Sequence, residues 1–155
     1  MSKLQNQINF LMEIDKVKGI LRQSVILGDT NRRENDAEHS WHMAICAITL
    51  KEYVEFDKID IERVLKMILL HDVVEIYSDD TPAFSKYDKE EKFRKELAAA
   101  EKIFSLLPEE QYKEYFKLWL EFENMESDDS KFANVFDSFK DLYKIYLLMD
   151  ILGKN

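Results

Sequence analysis

Cysteine, proline and glycine are all scarce: the 155 residues hold one, two and three of them respectively. A single cysteine, Cys46, closes no internal disulfide, which excludes a cross-linked secreted scaffold. Its neighbours Ala44, Ile45, Ala47 and Ile48 make it a small core residue. So few breakers leave room for long helices, and both prolines fall where a helix starts or a loop turns. An all-α fold is expected. No apolar run approaches the ~20 residues of a membrane span. The opening MSKLQNQINFLMEIDK lacks the apolar block and cleavage site of a secretory signal, so a cytoplasmic location is expected. Basic residues are also in deficit, with 22 Lys and Arg against 31 Asp and Glu for a net charge of -9. That balance argues against nucleic acid polymers or anionic membranes as partners. One small phosphate ester remains open to an acidic protein if a metal or an arginine supplies local positive charge.

The length favours one domain over residues 1–155. Ile8, Leu11, Met12, Ile14, Val17, Ile20 and Leu21 follow three-and-four spacing and predict a helix from Leu4 to Leu21. Arg22 to Asp36 has little periodicity and reads as a long loop. Asn35 or Asp36 caps a second helix running to about Tyr53, with Glu38 placed as in a capping box. A third helix is expected from near Asp60 to about Tyr77, then a loop SDDTPAFSKYD, then a fourth helix from Lys89 to Leu106. Pro108 opens a fifth, ending near Asn124. After MESDDS, a last helix from Lys131 to Leu152 carries a stripe of Phe132, Val135, Phe136, Phe139, Leu142, Tyr143 and Tyr146. The sum is a bundle of about six helices. Phe84, Trp119 and Trp41 are read as packing in preference to pocket lining.

Within the third helix, VLKMILLHDVVEIYSDDTP sets an adjacent His71 and Asp72 among Leu69, Leu70, Val73, Val74 and Ile76. An unpaired buried carboxylate costs several kcal/mol, so a cation must lie nearby: a metal ion, an Arg or Lys, or a proton. All the histidines lie in two short places, EHSWH with His39 and His42, and LHD with His71. His39 and His42 share a helix face, so either could meet a ligand from another helix. Together with His71 and Asp72 they form a donor set suited to one divalent ion such as Mn, Co, Fe, Ni, Zn or Mg. Glu75, three residues past Asp72 and four past His71, faces the same way and is placed to handle a proton or hold a water. Asp79 and Asp80 follow in the loop.

NDAEHSWH, LLHDVVE, SDDTP and a later aspartate inside a helix resemble the HD-domain superfamily of metal-dependent phosphohydrolases, most closely its 5'-deoxynucleotidase branch. The resemblance runs from about Leu11 to Leu147. It implies a helical HD domain with His39, His71, Asp72 and Asp137 as metal ligands and His42 beside the pocket. Asp137 is selected over Asp141 by the apolar residues around it in the family pattern, although helical periodicity turns it away from the aromatic stripe. Arg22 is implied as the phosphate-binding arginine, and Glu75 and Asp80 as the acids that manage the attacking water. Gln23 stands where the deoxyribose-selective nucleotidases carry tryptophan, and Asp79 where relatives often have glycine.

The expected function is therefore hydrolysis of a phosphate monoester, with a (deoxy)nucleoside 5'-monophosphate as substrate, by a homodimer. A nucleotide-binding module without turnover is the first alternative. The second is a structural bundle in which Arg22 or Arg32 holds His71 and Asp72 without a metal.

Overall fold

The computed structural model describes residues 2–26, 29–54, 59–78 and 89–137. Six helices of ten residues or more occur among them, as expected: α1 (Lys3–Ile14), α2 (Asp36–Leu50), α3 (Ile61–Leu70), α5 (Lys89–Phe104), α6 (Glu109–Asn124) and α7 (Asp128–Asp137). A single turn, α4 (Glu75–Ser78), and a two-stranded antiparallel hairpin, β1 (Leu21–Ile26) and β2 (Asp29–Asn35), complete the described elements.

Side chains close most of the helix starts. Ser2 accepts from the Gln5 amide at 3.1 Å. Asp60 accepts from the Glu62 and Arg63 amides at 3.1 and 3.2 Å. The capping box opening α2 forms as expected, with Glu38 N donating to Asn35 Oδ1 at 3.0 Å and Asn35 N to Glu38 Oε2 at 3.3 Å. Pro108 sits at the N-cap of α6, one position earlier than the first-turn role expected of it. The last helix starts at Asp128, before the expected Lys131, because the Ser127 hydroxyl accepts from the Ser130 amide at 3.1 Å.

Three further expectations need correction. The first helix ends at Ile14, and a 3₁₀ segment over Asp15–Gly19 leads into β1. The expected loop from Arg22 to Asp36 is the hairpin. It pairs Leu21 with Asn35, Val25 with Arg33 and Ile26 with Asp29, with irregular register between them. Leu21, Gln23 and Val25 are exposed while Arg22, Ser24 and Ile26 are half-buried. Its inward face is thus largely polar, which hides the period-two signal of an amphipathic strand. The third helix is not continuous, since a 3₁₀ stretch over His71–Val74 separates α3 from α4.

Helix α3 packs against α2, α6 and α7, and its Val64, Met67 and Ile68 have no exposed surface. Around them lie Met43 and Ala47 of α2, Ile103 and Phe104 of α5, Trp119 and Phe122 of α6, and Phe132 and Phe136 of α7. Each large apolar side chain so buried contributes about 1.5–3 kcal/mol. Trp119 is core, as expected, whereas Trp41 is 65% exposed and Phe84 lies outside the described residues. Cys46 is half-buried against this core. From the expected aromatic stripe Phe132 and Phe136 are buried and Val135 is exposed; its later members lie outside the described residues. His71, the residue that follows α3, is buried beside this core, and Val73 and Val74 continue it.

Candidate metal centre

His71 is buried, with 4% of its surface exposed, and Phe122 of α6 covers one ring face at 4.9 Å between centroids. Its Nδ1 lies 2.7 Å from the Ile68 carbonyl. That carbonyl is the acceptor an unbroken α-helix would offer to the Asp72 amide, so the imidazole competes with the backbone at the point where α3 tightens to 3₁₀. With Nδ1 committed, Nε2 points into the site. It is buried and has no hydrogen-bond partner, although Asp72 Oδ2 lies 3.1 Å away and Asp137 Oδ1 3.8 Å away.

His39 comes from the first turn of α2, where the capping box fixes the helix start. Its ring centroid lies 5.8 Å from that of His71, and its Nε2 is 3.2 Å from Asp137 Oδ1. One donor atom each of His39, His71 and Asp72 falls within 4.8 Å of the others. Two metal bonds of about 2.0–2.2 Å each span a comparable distance. Asp137, the last described residue of α7, lies beside this group, with its Oδ1 3.2 Å from His39 Nε2 and 3.8 Å from His71 Nε2. An orphaned imidazole nitrogen facing two carboxylates and a second imidazole fits a divalent ion.

Arg22 reaches in from β1. Its Nη1 pairs with Asp72 Oδ2 and lies 3.3 Å from Asp36 Oδ1, and its Nη2 lies 3.4 Å from Asp137 Oδ1. This guanidinium supplies the protein's own cation beside the buried carboxylates. Arg32 does not; it binds Glu38 at 2.9 Å.

The titrating groups divide by surroundings. Burial pushes Asp137 up, but the His39 hydrogen bond and the charges on His71 and Arg22 overcome it and hold the carboxyl well below the usual range. Asp72 is likewise lowered against its burial, by His71 and Arg22. Burial pulls His71 down, but the negative charges of Asp72 and then Asp137 outweigh it and raise it to about 9. Glu75 is raised to about 7 by burial and by the charges of Asp72, Glu96 and Asp36. Asp36 rises to about 7 through burial and Asp72, and Glu123 to about 7 through burial and Glu96. A carboxyl that titrates near neutrality suits proton transfer at that pH.

The structure thus brings together His39, His71, Asp72, Asp137 and Arg22, and Glu75, bonded to Ser78, feels the charges of Asp72 and Asp36. Asp80 lies outside the described residues. His42, expected beside the pocket, is exposed on α2 and makes no described contact with the cluster. The inward position one turn beyond His39 belongs to Met43, four residues on, which is 3% exposed. Two acids went unread in the sequence. Asp36 figured only as a possible cap, and Glu34, 3.4 Å from His39 Nδ1, sat in a supposed loop.

Residues 14–147 match a family model described as HD domain. The chain belongs to the HD-domain family. A crystal structure from Magnetospirillum magnetotacticum, described as a predicted metal-dependent phosphohydrolase, shares 46% identity with this HD-domain chain. It superposes with a TM-score of 0.79 over 88% of this chain and 69% of its own. A conserved hypothetical protein of Pyrococcus furiosus, at 23% identity and a TM-score of 0.68 over 96% of this chain and 82% of its own, shares the fold. The human 5'-deoxynucleotidase HDDC2 is 31% identical over 130 residues, 84% of this chain. The chain spans 62% of the length of that relative. The Dictyostelium discoideum 5'-deoxynucleotidase HDDC2 is 29% identical over 147 residues, 92% of this chain and 77% of its own. Among the described residues no helix is long and apolar enough to cross a membrane.

Proposed function

We propose that this HD-domain protein is a metal-dependent phosphohydrolase that cleaves a phosphate monoester, with a nucleoside 5'-monophosphate as substrate. The observation that carries the reading is His71 Nε2: buried, without a hydrogen-bond partner, and facing Asp72 and Asp137. His39, His71, Asp72 and Asp137 would hold one divalent ion. Bound there, the ion would acidify a water and offset phosphoryl charge. The names of the nucleotidase and phosphohydrolase relatives support the substrate class.

The protein's own residues supply the rest. Arg22 is the group to hold phosphoryl oxygens, because its planar fork binds two at once. It lies between Asp36, Asp72 and Asp137, so a phosphate entering the site competes with carboxylates for the same N–H groups. Glu75, titrating near 7, takes the proton from the attacking water or returns it to the leaving oxygen. Asp80 shares that task by its place in the family pattern. The protein acts in the cytoplasm as a homodimer; the apolar face of α1, with Leu4, Leu11 and Met12 each more than 60% exposed, supports an association between copies.

A second reading has one observation in its favour: Arg22 already pairs with Asp72, as it would in a purely structural bundle. That pairing leaves His71 Nε2 3.1 Å from Asp72 Oδ2 with no hydrogen bond, an arrangement that a shared divalent ion accounts for. Metal analysis of protein purified without added ions separates the two. The phosphohydrolase reading is withdrawn if His71→Ala combined with Asp72→Ala keeps full metal content and full turnover.

A further inference from the structure

Each imidazole of the site turns its Nδ1 toward a different kind of oxygen. For His71 it is the neutral Ile68 carbonyl. For His39 the facing oxygen belongs to a carboxylate, Glu34 Oε2, at the ion-pair distance of 3.4 Å. That same oxygen accepts from Ser24 Oγ at 3.1 Å, so strand β2 supplies the acid and strand β1 the hydroxyl that pins it. Glu34 is only 16% exposed and His39 10%, and the reaction outlined above makes no use of Glu34.

A neutral imidazole offers a metal one nitrogen and carries its proton on the other, so the proton needs an acceptor that also fixes the ring plane. Where that acceptor is a carboxylate it makes the ligating nitrogen a stronger donor than a carbonyl would. We propose that Glu34, held by Ser24, is a positioning residue for His39: it accepts the Nδ1 proton and aims Nε2 at the ion shared with His71 and Asp72. The proposal rests on the reading of His39 as a ligand. It gives the hairpin a second task beside carrying Arg22. The strand that presents the phosphate-binding group also sets, through its partner strand, the donor strength of one ligand.

The test is a Co(II) titration of chelator-stripped protein, read by visible absorbance, with circular dichroism on each variant. E34A is expected to weaken Co(II) binding about 10- to 100-fold. In E34Q the amide oxygen still accepts the Nδ1 proton and keeps the ring plane but carries no charge, so an affinity between those of E34A and the wild type is expected. H39A is expected to lose more than E34A. If H39A loses binding while a folded E34A stays within about threefold of the wild type, the Glu34 proposal is overturned and the ligand reading stands. If H39A leaves the affinity unchanged, the ligand reading fails and the proposal with it. Nitrogen-15 histidine spectra of the zinc-loaded wild type need no variant. A proton on His39 Nδ1 with zinc on Nε2 is expected, and the reverse arrangement overturns the proposal.

Discussion

His71 and Ile68 share a side-chain-to-backbone contact that does two things at once: the ring Nδ1 meets the Ile68 carbonyl at 2.7 Å, and α3 tightens where that carbonyl would have continued the helix. The tightening begins at the residue whose Nε2 faces the carboxylates. Backbone geometry and ligand orientation are therefore one feature. Removing the imidazole should affect the metal before it affects the core. His71→Ala is expected to weaken divalent-ion binding by more than the about 10- to 100-fold typical of losing an outer partner. Calorimetric titration of the stripped protein measures this.

Phe122 provides the wall behind that ring, 4.9 Å between centroids, and is itself 2% exposed. Phe122→Ala should cost about 3–5 kcal/mol of stability through the cavity it leaves. It should also loosen metal binding, because His71 loses the surface that limits its rotation. Denaturant unfolding with and without added metal separates the two effects. At the same metal concentration the variant is expected to gain less stability from added metal than the wild type does.

Arg22 faces three carboxylates, and its substitution should distinguish charge from shape. Arg22→Ala is expected to lower kcat/KM about 10²- to 10³-fold, as for loss of one preorganised donor to the transition state. Arg22→Lys keeps the charge but not the fork, so most of that loss should remain. Steady-state kinetics on both variants checks it. A lysine variant as active as the wild type would mean that Arg22 acts only as a point charge.

The metal-free protein should lose stability as pH rises through neutrality. Asp36, Glu75 and Glu123 each titrate near 7 in the folded state and at about 4 when unfolded. Between those values the folded state binds more protons, so raising the pH favours unfolding. His71, raised to about 9, acts in the same direction above about 6.5. Asp72 and Asp137 are lowered, so their contribution is already complete above about pH 4 and adds nothing in this window. The thermal midpoint of chelator-treated protein should therefore be lower at about pH 7.5 than at about pH 5.

Most of this site was legible from the chain because its chemistry is locally contrasted. His71 and Asp72 stand out as polar residues in an apolar run, and the capping box at Asn35 and Glu38 marks the turn that carries His39. Asp137 needed the family pattern, since periodicity turns it from the aromatic face; at 37% side-chain exposure it sits at the rim of the site. The hairpin escaped detection for a physical reason. Strand β1 turns Arg22 and Ser24 inward to serve a polar site, so it carries none of the apolar alternation that identifies a strand. Glu34 and its link to His39 went unseen with it. His42 is exposed on α2, and Met43, four residues past His39, takes the buried place.

Phosphate release from a panel of ribo- and deoxynucleoside 5'-monophosphates tests the central claim most directly, with Mn, Co, Mg or Zn added in turn and a chelator as control. The account predicts release from a few members of the panel, abolished by chelator and restored by one or more of the ions. Release that persists unchanged in chelator would contradict it, as would a fully metal-loaded protein that hydrolyses none of the panel.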